Sequence, residues 1–258
     1  MNILDAIVEH KRIEVMKRKQ KRPLSNLESF PHYGRKVNSI TLPDSGKAGI
    51  IAEFKRQSPS KGPLNMEAEP QVVASGYQAA GVSVMSILTD RKFFGGSFQD
   101  LSAVRESCPD LPLLRKDFMI DPYQVHEAKA YGADMILLIA AILGKQELAD
   151  LAGEANALDL HVLLEVHDAY ELEKYVPGIG FVGVNNRDLK TFRVDTRRSM
   201  DLIGQMPHGV IPVSESGISK AEEIEKLSSV GYKLFLMGER FMKQGDPGLA
   251  CRDFMDKL

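Results

Sequence analysis

Cysteine is nearly absent. Cys108 and Cys251 are the only two in 258 residues, so a disulfide framework is not expected and a reducing compartment is. No apolar run approaches the roughly 20 residues that cross a bilayer, and the N-terminus lacks an uninterrupted apolar stretch of about 7–15 residues. Neither a membrane span nor a signal peptide is therefore expected, and the chain reads as cytoplasmic. An excess of one charge is missing as well: 33 Lys and Arg stand against 35 Asp and Glu, and a net charge of −2 gives no drive toward nucleic acid or membrane. No H-x-H or H-E-x-x-H pattern occurs, so the pair Glu165 and His167 has no evident third metal ligand. What remains, 43% hydrophobic and 26% charged, is the composition of a soluble globular chain.

The most informative feature present is a recurrent one. Short apolar runs end abruptly in charged or amide residues: IIAEFKR from Ile50, LPLLRKDF from Leu111, VLLEVH from Val162, FVGVNNRD from Phe181, IPVSESG from Ile211 and LFLMGE from Leu234. Two further runs, VSVMSILTD from Val82 and DMILLIA from Asp134, complete the set. Helical stretches lie between them, such as DPYQVHEAKAYGA from Asp121, GKQELADLAGEANAL from Gly144 and SKAEEIEKLSSVG from Ser219. About eight strand-helix units, each of roughly 30 residues or fewer, predict a (β/α)8 barrel whose chemistry sits at the C-terminal ends of the strands. One domain spanning 1–258 is expected, since about 250 residues is the usual length of such a barrel.

Residues 1–49 stand outside that rhythm and form an N-terminal extension. Leu4, Ile7, Val8, Val15 and Met16 among charges predict an amphipathic helix. The basic cluster from Lys11 to Arg22 is interrupted by Glu14 and carries no aromatics to stack bases, so it reads as a solvated helix face and not a nucleic-acid patch. Pro23, Pro31, Gly34 and Pro43 then read as a linker.

Strand periodicity selects the candidate site residues. Alternate residues share a face, so Glu53 and Lys55 point the same way, into the barrel mouth, where the pair must meet each other or a charged ligand. The following loop supplies Ser58, Ser60 and Lys61 to an anionic substrate. On the next charged strand end Lys116 continues the face of Leu114, while Arg115 points outward to helix carboxylates. A Lys116 close to another cation would have a lowered pKa and serve as a general acid. Glu165 reads as an acid-base carboxylate. Asn185 and Asn186 can orient hydroxyls or simply turn the loop, and the Arg187 fork suits a carboxylate or phosphate. Gly217 and Gly238 end the last two strands, where barrels often hold phosphate on backbone N–H groups; beside an anion, only the backbone N–H of Glu239 would help. Ser214 reads as a strand-end cap. Gly178, Gly180 and Gly183 spell G-x-G-x-x-G but lead into a strand, so the motif is a turn and not a nucleotide site.

Taken in order, IIAEFKRQSPSKG, ILTDRKFFGGS, LLRKDFMIDPYQ, GADMILLIAAIL, LLEVH, GVNNRDLKTFRVD, VSESGI and MGERFM…DPG closely resemble the indole-3-glycerol phosphate synthase family over nearly the whole chain. Because the chain ends after an eighth helix near Leu258, it looks like the monofunctional form. The resemblance implies ring closure of 1-(2-carboxyphenylamino)-1-deoxyribulose 5-phosphate with loss of CO2 and then water, with no cofactor and no metal. It implies a catalytic set of Glu53, Lys55, Lys116, Glu165, Asn185 and Ser216. Substrate contacts are implied for Ser58, Arg187, Glu215, Gly217, Gly238 and Glu239. A phosphorylated small molecule is then the only expected partner, and a monomer the expected state. Phe54 and Gln57 depart slightly from the family pattern and would affect loop packing only. Two rivals remain at this level. One is another phosphate-binding barrel, such as a phosphoribosylanthranilate isomerase, which commonly has a cysteine where this chain has Glu53 and Lys55. The other is a silent barrel that only binds; an assay for indole formation separates both.

Overall fold

The computed structural model describes residues 3–44, 47–59, 61–189 and 191–258. Eight parallel strands close into a barrel: β1 (Gly49–Phe54), β2 (Val84–Leu88), β3 (Leu113–Lys116), β4 (Met135–Ile139), β5 (His161–Val166), β6 (Phe181–Asn185), β7 (Ile211–Glu215) and β8 (Leu234–Met237). Each strand pairs in parallel with its sequence neighbours, and β8 returns to β1 with Ile51 opposite Leu236. Every apolar run picked out in the sequence is one of these strands.

Side-chain alternation divides the strands between two apolar layers. Ile51, Val84, Leu114, Leu137, Leu163, Val213 and Leu236 fill the barrel interior. Their chain neighbours Ile50, Ala52, Ile136, Leu164 and Phe235 face outward into the layer shared with the helices. Glu53, Lys116, Glu165, Asn185 and Glu215 continue the inward faces of their strands at the C-terminal ends, which is why charged residues follow apolar runs.

The helices of the outer ring begin as the sequence dictates. Asp121 caps α6 (Pro122–Ala130) by accepting from the Tyr123 N–H at 2.9 Å, with Pro122 at the first helical position. Glu223 folds back on the start of α10 (Ala221–Ser229) and accepts from the Lys220 N–H at 2.9 Å. Helix α7 (Lys145–Ala157) is closed in the same way by Glu147.

The N-terminal extension departs from expectation in two respects. Helix α1 (Ile3–Lys21) forms, but the segment read as linker carries a second helix, α2 (Leu24–Glu28), pinned by a fully buried Leu27. The basic cluster is also not a solvated face throughout. Lys11 is completely buried, with Nζ 2.8 Å from each of Asp90, Asp117 and Glu14. Arg18 reaches Glu127 of α6 at 2.7 Å. Met16, assigned to the apolar face, is instead half exposed. At the opposite end of the barrel, buried Asp134 accepts from the Asn38 and Leu113 N–H groups, both at 2.8 Å, and pairs with Arg35 and Arg105, tying the extension down.

Candidate active site

The C-terminal mouth opens into a cavity of about 520 Å³. Of the residues that the sequence nominated, Glu53, Lys55, Ser58, Lys116, Glu165, Asn185, Arg187, Glu215, Ser216, Gly217, Gly238 and Glu239 line it, while Lys61 does not and instead faces Glu239 at 3.9 Å. Ser60 lies outside the described residues. Among the described residues no group of three potential metal ligands clusters.

Lys116 stands at the centre of the site. Its Nζ lies 2.9 Å from Glu215 Oε2 and 3.5 Å from Glu165 Oε2. Burial acts to lower its pKa, but Glu215, Glu165 and Glu53 together outweigh burial and hold the ammonium well above the usual lysine range. The expected lowering is thus overturned, because the groups nearest Lys116 are carboxylates and not a cation. Glu53 forms its direct pair with Lys55. Burial works to raise the Glu53 carboxyl, yet Lys55 and Lys116 prevail and keep it below the ordinary range.

The two carboxylates beside Lys116 differ. Glu215 is pushed up to about 7 by burial, with Glu165 and Glu53 adding to the effect and Lys116 opposing it. Glu165 is held below the ordinary range: burial raises it, but Lys116, His167 and a hydrogen bond from Asn185 overcome that. Glu215 belongs with the charged centre as well as with the substrate contacts expected of it. It has room because β6 carries Gly183, where a Cβ would lie 2.2 Å from Glu215 Oε1. The glycine of the dismissed G-x-G-x-x-G pattern therefore has a packing reason.

The rim is built from loops. Gln57–Ser58 pairs with Gly62–Pro63 in a short antiparallel hairpin that buries Ser58, and Arg56 at its base grips Asp100 at 2.7 and 3.0 Å. Asn186 proves not to be a solvent turn. It is fully buried, donates to Ser214 Oγ and to the Ser216 carbonyl, both at 3.1 Å, and accepts from Ser199 Oγ at 2.9 Å. Ser214 is accordingly a buried hydrogen-bonding partner and not a cap. This network holds Ser216 at φ 65° ahead of Gly217 at φ 81°, a left-handed pair that turns the chain sharply at the end of β7. Gly238 ends β8 and precedes α11 (Glu239–Met242); a Cβ there would lie 2.8 Å from Glu53 Cβ. Its bareness makes space for Glu53, beyond any role toward an anion. The Glu239 carboxylate is neutralised by Lys243 at 2.5 Å, Arg187 at 3.8 Å and Lys61 at 3.9 Å.

Sequence reasoning missed the apolar wall. Ile3, Leu4 and Ile7 of α1 line the cavity together with Phe94, Phe118 and Phe192. The stripe of Leu4 and Ile7 was visible in the sequence, but what it packs against was not.

The model of the family described as indole-3-glycerol phosphate synthase matches residues 4–254. The indole-3-glycerol phosphate synthase of Bacteroides thetaiotaomicron is 45% identical over 261 residues, covering 100% of this chain and 99% of that protein. The protein of that name from Verminephrobacter eiseniae is 43% identical over 96% of this chain and 97% of its own length. Among solved structures, a 3-hexulose-6-phosphate synthase superposes with a TM-score of 0.65 at 15% identity over 81% of this chain and 99% of that one. KGPDC from Streptococcus mutans gives a TM-score of 0.63 at 13% identity over 84% and 97%. The two structures are similar in fold alone.

Proposed function

The chain belongs to the indole-3-glycerol phosphate synthase family, and we propose how the residues around its cavity divide the work of that reaction. The enzyme, a carboxy-lyase of tryptophan biosynthesis, converts 1-(2-carboxyphenylamino)-1-deoxyribulose 5-phosphate to indole-3-glycerol phosphate, releasing CO2 and water. The aromatic carbon that bears the carboxylate attacks the ketone. Lys116 protonates the ketone oxygen as the bond forms. The C–CO2 bond then breaks and its electron pair restores the aromatic ring. Departure of the hydroxyl as water, with loss of a methylene proton, completes the indole. Glu165 takes that proton. The arylamine nitrogen supplies the electron push, so the reading uses no cofactor or metal.

The observation that carries this division is the position of the Lys116 ammonium, 2.9 Å from Glu215 and 3.5 Å from Glu165 inside one cavity. An acid fully charged at neutral pH stands beside one carboxylate held ionised and another near its titration point, an arrangement suited to one proton donated and one removed. Lys55, oriented by Glu53, positions the phosphate or helps expel the hydroxyl. Ser58 and Arg187 contact the anthranilate end. The backbone around Gly217, Gly238 and Glu239 cradles the phosphate, with the Glu239 carboxylate drawn off by its three cations. Apolar side chains of α1 flank the aromatic ring. The reading includes a monomeric, single-domain, cytoplasmic enzyme; two buried free cysteines agree with a reducing compartment.

Purified protein is expected to form indole-3-glycerol phosphate from the synthetic substrate, followed by indole fluorescence. Glu165→Gln keeps the shape but cannot take a proton, so turnover should fall about 10²- to 10⁴-fold with little change in KM, and an undehydrated intermediate should accumulate. Undiminished turnover in this variant would remove Glu165 from the role of base.

A further inference from the structure

Glu165 and Glu215 flank the same ammonium and are both almost completely buried; Lys116 lies 2.9 Å from Glu215 against 3.5 Å from Glu165, so its contact by itself favours ionising Glu215, and any preference for Glu165 comes from elsewhere. Two like charges around one cation favour one shared proton, and its owner is set by what else each carboxylate touches. The two surroundings differ in one charged group. His167, two residues beyond Glu165 on the same inward face, places Nε2 3.7 Å from Glu165 Oε1. Its Nδ1 lies 3.0 Å from Glu171 Oε2, and Glu171 also accepts from the His167 N–H at 2.8 Å, so the ring is pinned from behind. His167 is 9% exposed, and its Nε2 is buried, without a hydrogen-bond partner among the described residues, and aimed at Glu165. Glu215 feels the same ring only at longer range and, among the described residues, forms no ion pair with it. One of its oxygens meets Lys116, while Oε1 is buried without a hydrogen-bond partner among the described residues, which is where an ionised oxygen is most costly.

We infer that His167, held by Glu171, is a positioning residue that keeps Glu165 ionised as the base and leaves the shared proton on Glu215. The inference rests on Glu165 being that base. The charged groups that face His167 are Glu171 from the helix that follows β5, Glu165 on its own strand, and Glu215 from β7; Lys116 lies beyond Glu165 on its far side. Burial acts to lower the imidazole, but Glu171, Glu165 and Glu215 outweigh it and hold it above the usual histidine range, which favours the imidazolium form. An opposite charge within about 4–6 Å lowers a carboxyl by about 1–3 units. Without His167 the two carboxylates become near equivalents and Glu165 spends part of its time protonated.

The test is His167→Gln, assayed as kcat/KM from about pH 3.5, below the ordinary carboxylate range, to about pH 8, and by infrared difference spectra of the carboxylic-acid carbonyl band. The acid limb should move up by about one unit, so the variant loses activity progressively as pH falls, approaching about tenfold only below both limbs, and matches wild type at the alkaline end, with KM nearly unchanged. In the wild-type background Glu215→Gln should abolish the carbonyl band; in the His167→Gln background it should leave a band that Glu165 carries. His167→Asn and Glu171→Gln, which weakens the pin but keeps the ring, read the same limb if His167→Gln does not fold. A loss equal at every pH, or an unmoved acid limb, or a band that still vanishes with Glu215→Gln in the doubly substituted protein, would overturn the inference. An active Glu165→Gln would instead overturn the assignment of the base, a different failure.

Discussion

Lys11→Met removes a charge and keeps the stem, and its consequences can be worked through from the contacts. Lys11 Nζ is 2.8 Å from Asp90 and from Asp117, and both carboxylates are 1% exposed. Asp117 keeps other partners after the change, with Arg115 at 2.8 Å and Thr89 at 2.7 Å. Among the described residues the Asp90 side chain keeps only the Phe93 N–H, from which it accepts at 2.8 Å as the cap of the short helix Arg91–Phe94. One buried carboxylate is thus left without a cation, and breaking a buried pair in this way costs about 3–5 kcal/mol. If that loss fell on the whole barrel, at roughly 2–4 °C per kcal/mol for a protein of this size, Tm would drop by roughly 6–20 °C.

Helix α1 offers a cheaper escape, since undocking it lets water reach Asp90. The expected outcome is therefore early tryptic cleavage in α1, a smaller fall in the main transition, and a higher KM. Losing Ile3, Leu4 and Ile7 from the cavity wall should raise KM about tenfold, as for roughly 1.4 kcal/mol of apolar contact. The pH dependence has a definite sign. Asp117 is held below the usual range, because Lys11 and Arg115 overcome the burial that would raise it, so its contribution is present above about pH 3.9 and lost as pH falls through the depressed value. Lys11 is held above the usual range, its three carboxylates overcoming burial, so its contribution is present below about pH 10.4 and lost as pH rises through the elevated value. The difference between variant and wild type should accordingly be flat from about pH 5 to about pH 9. A Lys11→Met protein with unchanged proteolysis, Tm and KM would refute the latch.

Lys116→Met should leave the fold intact and lower kcat for ring closure by about 10²- to 10⁴-fold, measured in single turnover; near-wild-type turnover with normal binding would show that Lys116 is not the acid. Gly238→Val should raise KM for the phosphorylated substrate and also lower kcat, because the new Cβ would stand 2.8 Å from Glu53 Cβ and disturb the Glu53–Lys55 pair. A rise in KM alone would mean that the glycine serves only the approach of backbone to phosphate.

The barrel, its eight strands and the inward direction of Glu53, Lys55 and Lys116 were legible in the sequence, and the same rule applies to Glu165, Asn185 and Glu215. These follow from a local rule, the period of two along a strand, together with the change from apolar to charged at each C-terminal end. The outward turn of Arg115 was legible for the same reason: its NH2 meets Asp117 at 2.8 Å and Glu127 of α6 at 3.7 Å. What each inward group meets across the barrel is set by the folded chain alone. Lys116 and Glu215 lie on strands that are not neighbours, and no spacing along the chain encodes their 2.9 Å contact. The sign of the Lys116 shift depended on that geometry, since a lysine among three carboxylates and a lysine beside a cation read alike in sequence. The burial of Lys11 was hidden in the same way. A lysine on an amphipathic helix is ordinarily solvated, and it becomes a latch only where folding brings two strand-end carboxylates from distant parts of the chain, Asp90 and Asp117, to the same point in a medium too poor in water to leave any of the three charges unpaired.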